Sequence, residues 1–119
     1  MAYDNALAAR VRHALSDVDD LRDQKMMGAL CFMVGDHMCC GVTGDALMVR
    51  VGRDGYDAAL TEEHVGPMEM TGGRRPRGFV LVDPPGIEAD EALVRWIRRG
   101  RDVVAKLPAR TLPQALVKT

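Results

Sequence analysis

MMGALCFMVGDHMCCGVTGDALMVRV, residues 26–51, is the stretch that decides how this chain folds. It divides into three apolar runs, 29–34, 37–42 and 47–51, separated by turn residues. Gly35-Asp36 suits a two-residue hairpin loop, because glycine supplies the positive φ that such turns demand. A two-residue loop pairs Val34 with His37, Met33 with Met38, Phe32 with Cys39 and Cys31 with Cys40. Backbone groups along the middle run then point alternately to its two neighbours. That parity favours a four-residue second loop, 43–46, with Val42 opposite Leu47 and Cys40 opposite Val49.

With this register one sheet face carries Ala29, Cys31, Met33, Met38, Cys40, Val42, Leu47, Val49 and Val51. It is continuously apolar, as the side turned to the core must be. The other face carries Leu30, Phe32, Val34, His37, Cys39, Met48 and Arg50. It is more apolar than a solvated face should be. A slip of one residue would exchange the two sets, since side chains alternate along a strand.

Working outward, residues 3–16 read as an amphipathic helix with Tyr3, Leu7, Val11, Ala14 and Leu15 on one face. Arg10 and Arg12 fall off that face and are expected in solvent. Residues 17–23 are polar and read as a loop. Beyond the third strand, Asp54 is placed to cap a short helix at 55–60 anchored by Tyr56, Ala59 and Leu60. A fourth strand is expected at 67–71 and a fifth at 78–83. Pro84 and Pro85 then turn the chain. Residues 87–107 read as a long helix with Leu93, Trp96, Ile97, Gly100, Val104 and Leu107 on one stripe. Its acids come early and its bases late, the order the helix dipole favours. Glu91 with Arg95, and Asp102 with Lys106, are spaced for ion pairs along it.

The fold class these runs predict is α+β, a two-layer sandwich with an antiparallel sheet of about five strands against N- and C-terminal helices. Residues 1–107 form one domain and 108–119 a short tail. The chain has 119 residues, 16 basic and 17 acidic, so it has no global field to recruit nucleic acid. No apolar run approaches the roughly 20 residues of a membrane span. The N-terminus lacks a secretory pattern, and three cysteines without one suggest reduced thiols in the cytoplasm.

Lys25, Met26 and Gly28 lead into the first strand, and Met38 and Val42 lie in the second. Leu47 follows in the third, then Pro67-Met68, Gly78-Phe79, Pro84, and Leu93 with Trp96 on the last helix. This pattern resembles the N-terminal domain of the TfoX/Sxy competence-regulator family across residues 1–107. Met27 departs from it, standing where an aromatic residue is common. The resemblance implies helices against an antiparallel sheet. Competence regulators of that family carry a second, helical C-terminal domain. Residues 108–119 are too few to form one, which leaves a stand-alone N-terminal domain as the expectation.

No residue set in the chain demands a reaction, and a non-enzymatic regulatory or protein-interaction domain is expected, with no catalytic residues. Leu30, Phe32, Val34 and Met48, from the apolar second face, form the expected contact surface for a protein partner or a second copy. Arg74, Arg75 and Arg77, on the Gly-flanked loop 72–77, are candidates for holding an anion by forked hydrogen bonds. That loop matches no phosphate-binding motif. An alternative function, small-molecule or anion binding or catalysis, would use this loop with Cys39 and His37. Nucleic acid is the weaker reading, through the same loop and Arg95, Arg98, Arg99 and Arg101.

The cysteines read first as buried apolar thiols. Cys31 and Cys40 are expected as cross-strand neighbours with Cβ atoms about 5 Å apart. A disulfide requires about 3.8 Å. His37-x-Cys39 supplies only half of a four-ligand zinc set, so no metal and no cofactor are expected.

Overall fold

A computed structural model describes residues 3–26, 28–69 and 73–107. The elements are α1 (Asn5–Ala14), β1 (Leu21–Met26), β2 (Ala29–Val34), β3 (His37–Thr43), β4 (Ala46–Arg50), α2 (Gly52–Leu60), β5 (Val65–Pro67), β6 (Phe79–Val82) and α3 (Asp90–Ala105). A single 3₁₀ turn, Pro84–Gly86, follows β6. The strands form one antiparallel sheet in the order β1-β2-β3-β4-β6-β5. The α+β class is as expected, with six strands in place of about five.

The added strand is β1. Its sequence, LRDQKM, is polar, and only its first residue is half-buried. Residues 17–23 read as loop because an edge strand is held by backbone hydrogen bonds, which side-chain patterning does not report. β5 ends at Pro67 instead of starting there. Residues 70 and 71 of the expected fourth strand lie outside the described residues.

The first hairpin holds the main correction. Val34 faces His37 and Met33 faces Met38, as the two-residue loop requires. The register then shifts, and Phe32 faces Cys40 while Cys31 faces Gly41. Cys39 is the extra residue of a β-bulge, two residues against one. Past it, Cys40 opposes Val49 and Val42 opposes Leu47, as expected. Thr43 also pairs with Ala46, so the second loop is the two residues Gly44-Asp45 and not four.

The bulge reverses β2 relative to β3 and β4. Leu30 and Phe32 join Cys40, Val42, Leu47 and Val49 in the core beneath the helices. Cys39, the extra residue, also points into that core. Val34 packs at its margin. Ala29 and Cys31, expected inside, lie with Met48 on the opposite face. Met38 joins them there, and Met33 shares that face as the residue opposite Met38. The expected contact set of Leu30, Phe32, Val34 and Met48 is therefore split between the two faces.

All three helices contribute to the core on one side of the sheet, through Leu7, Val11, Tyr56, Ala59, Leu93, Trp96, Ile97 and Val104. α1 begins where Asp4 Oδ1 accepts from the amides of Ala6 and Leu7, at 2.8 and 3.2 Å. α2 starts earlier than expected, at Gly52, and Asp54 sits inside its first turn without capping it. The turn is set by Gly78, whose carbonyl accepts from both Val51 and Gly52. The stripe on α3 is as read from Leu93 to Val104, but the helix spans Asp90–Ala105 where 87–107 was expected, and Leu107 lies past its end, half-buried.

The charged residues reach across elements. Arg10, expected in solvent, donates to the carbonyls of Ile87 and Glu88 and to Asp90, tying α1 to the start of α3. Arg99 pairs with Glu62 and Arg101 with Asp17. The expected Glu91–Arg95 and Asp102–Lys106 pairs are not among the ion pairs of the described residues.

α3 is seated on β3 through Gly100. A Cβ there would lie 2.7 Å from the Cys39 carbonyl oxygen and 3.1 Å from its sulfur. A mid-helix glycine costs about 1 kcal/mol relative to alanine, and here it permits a close approach between helix and sheet.

Urea unfolding distinguishes the two sheet faces and the helix seat. Phe32→Ala, in the core, should cost about 3–5 kcal/mol, and Met33→Ala, half-exposed on the far face, about 1 kcal/mol. Gly100→Ala should destabilise by about 1–3 kcal/mol through overpacking. Gly55→Ala, in an open helical position, should stabilise by about 0.5–1 kcal/mol.

Candidate interaction surface

Strand alternation sends a distinct set of side chains away from the helices. Cys31 and Met48 are buried at the middle of this face, with Met38, Met68, Phe79 and Leu81 half-buried around them. Met33 joins through its pairing with Met38, and Met26, 37 % exposed, through its pairing with Ala29. Among the described residues no helical residue belongs to this cluster. Methionine therefore dominates the face, with Met26, Met33, Met38, Met48 and Met68 on it. The thioether chain is unbranched and polarizable, so such a surface adapts to the shape laid against it.

The sheet permits this arrangement because Gly41 lies between Cys31 and Met48. A Cβ at Gly41 would come within 2.8 Å of the Met48 methyl. Met48 thus lies flat across the missing side chain and closes the middle of the face.

Arginine borders the apolar patch. Arg50 stacks over the Phe79 ring at 4.8 Å and donates from Nε to the Met38 carbonyl at 2.8 Å. Arg22, opposite Met33, also points to this side by register, and it donates to the Gly35 carbonyl. Arg74, Arg75 and Arg77 are exposed on the segment that joins Met68 to Phe79. Arg75 donates from Nε and Nη2 to Glu69 Oε2, at 2.9 and 2.6 Å, so its charge is matched. Gly72 of the same loop lies outside the described residues.

The structure does not unite Cys39 with that loop. Cys39 has no exposure, and its thiol lies under α3, 3.9 Å from the Ile97 carbonyl oxygen. Both Cys39 and Cys40 turn inward because of the bulge. Cys40 donates to the Cys39 sulfur, which lowers the Cys39 pKa and raises that of Cys40 well above the ordinary thiol value. Burial opposes the lowering at Cys39 and adds to the rise at Cys40, while Arg101 and Arg50 contribute to the lowering at Cys39. Burial alone pushes Cys31 up. The lowered pKa of Cys39 thus belongs to a thiol that has no exposed surface. His37 is half-buried opposite Val34. The described residues contain no cluster of three or more metal-ligating side chains.

Among the described residues, clefts open on the helical side. One, of about 430 Å³, runs between α1 and residues 84–88 and is lined by Asp4, Asp45, Glu88 and Arg10 among apolar residues. Another, of about 500 Å³, lies between α1 and α3 around His13, Asp90 and Val94. Arg10 divides them and is committed to its three acceptors. Neither cleft is lined by Arg74, Arg75, Arg77, Cys39 or His37.

The methionine face escaped the sequence reading because both faces of these strands are apolar. Its signal was present in the Met33–Met38 pair and in the alternation of Phe79 and Leu81. The consecutive cysteines at the bulge concealed which half turned inward.

At neutral pH, DTNB should leave all three thiols unmodified for minutes in the folded protein and titrate all three in denaturant, read at the thiolate absorbance. Rapid labelling of Cys39 in the native state would contradict its sealing by α3.

No helix among the described residues is long and apolar enough to cross a membrane. Comparison with curated proteins and with solved structures finds no significant match. The family model described as the TfoX N-terminal domain matches residues 13–103, from the last residues of α1 into the last turn of α3. It covers the sheet, the bulge and the helix seat together, and the chain belongs to the TfoX N-terminal domain family.

Proposed function

We propose that this chain is a non-enzymatic binding module that captures a protein partner through its open sheet face, as a regulatory domain does. The observation that carries this reading is the methionine-rich patch around Cys31 and Met48, to which no described helix contributes. Contiguous apolar surface of this kind marks interaction sites in soluble proteins. A catalytic reading has less support. Cys39 is fully buried beneath α3, and Arg75 is matched by Glu69. Arg74 and Arg77 remain exposed and suit an accessory contact to an anionic group. Three free thiols fit a reducing, cytoplasmic setting.

Affinity capture from native cytosol tests this. Wild-type protein should retain a specific partner. A folded Met38→Lys/Phe79→Ser variant should lose it, and an Arg95→Ala/Arg98→Ala variant on α3 should keep it. Retention by the face variant with loss by the helix variant would move the function to the opposite side of the molecule. Circular dichroism establishes that each variant is folded.

A further inference from the structure

The identity of the partner can be narrowed by charge and by the state of the sheet edges. This inference rests on the open face being the binding surface. The edges come first. β1 carries Arg22, Asp23 and Lys25 along an exposed strand, and β5 is three residues ending in proline. Charged and proline-ended edges discourage the addition of a further strand. An incoming segment is therefore directed onto the face, not the edge. An apolar sheet face is covered most simply by a helix, as the opposite side of this same sheet already demonstrates.

Charge decides what kind of helix. The strand residues turned to the open face include the cations Arg22 and Arg50 and no carboxylate. Asp23, the acid within β1, points to the other side, where it meets Arg12. Arg74 and Arg77 are exposed on the segment that leads into Phe79, while Glu69 is matched by Arg75. Two copies packed face to face by a two-fold axis would set one positive rim against another. A partner bearing negative charge meets no such opposition.

We propose that the open face receives an amphipathic helix of a partner protein, with apolar anchors seated among Met33, Met38, Phe79 and Leu81 and acidic residues flanking them towards Arg50, Arg74 and Arg77. Adaptable methionines accept anchors of several shapes, and the arginines set polarity and orientation.

The test uses the full chain with methyl-labelled methionine and a synthetic probe. The probe is a helix of about 18 residues, or five turns, with Leu and Phe on one face and Glu elsewhere. A control peptide has every Glu replaced by Lys. The acidic peptide should shift the methyl signals of Met33, Met38 and Met68, and anisotropy should show the basic peptide binding at least about tenfold more weakly. Arg74→Glu/Arg77→Glu should weaken the acidic peptide roughly tenfold, and added salt should do the same.

Equal binding of both peptides at these methyls would overturn the acidic assignment while leaving the face as a binding site. Shifts confined to other parts of the molecule would overturn both. Protection of the same methyls from a paramagnetic cosolute before any peptide is added would mean that a second copy, or residues 108–119, already covers the face. That result would overturn the proposal, as would stronger binding to phosphatidylserine vesicles or to a single-stranded oligonucleotide than to the acidic peptide.

Discussion

Gly100 of α3 and Cys39 of β3 approach so closely that no side chain fits between them. The approach depends on a bulge in β3 that turns Cys39 and Cys40 inward in succession. Without the extra residue, Cys39 would face away from the helices and Gly100 would cover empty space. That gap would leave a cavity beneath the helix, and the packing of Leu93, Trp96 and Ile97 around it would loosen. Close-packed interiors do not absorb such gaps without cost. The bulge also reverses β2 against its neighbours, which puts Phe32 and Leu30 under the helices and Cys31 on the far side.

The two faces of the sheet follow from that one irregularity. The helical side is closed by branched aliphatic residues, Phe32 and Trp96, with charged pairs at its margins such as Arg10–Asp90 and Arg101–Asp17. These exposed pairs add little stability individually, and the buried residues of α1 and α3 carry the packing. The other side is built from methionines over a strand glycine, with arginine at its border. It packs its own middle and leaves a deformable rim. A stiff scaffold beneath an adaptable surface is the feature on which the proposed binding role rests.

Much of this was legible in the residues. The 3.6-residue stripe from Leu93 to Val104 identified α3 and the side it buries, because sixteen residues of consistent periodicity leave little ambiguity. The Gly35-Asp36 turn, the Val34–His37 and Met33–Met38 pairs and the pairing of β3 with β4 were also readable, since turn chemistry and alternation act locally. β1 was not readable, because its pairing is made by backbone atoms that every sequence carries. The inner and outer halves of β2 were exchanged because Ala29, Cys31 and Met33 are as apolar as Leu30, Phe32 and Val34.

The sequence by itself determined the class of fold, the positions of the helices and the family pattern, all of which rest on local periodicity and turn residues. Only the tertiary structure decided which side of the first hairpin turned inward. A bulge changes parity without changing composition, and the competition between two apolar faces is settled by how closely a distant glycine on α3 can approach.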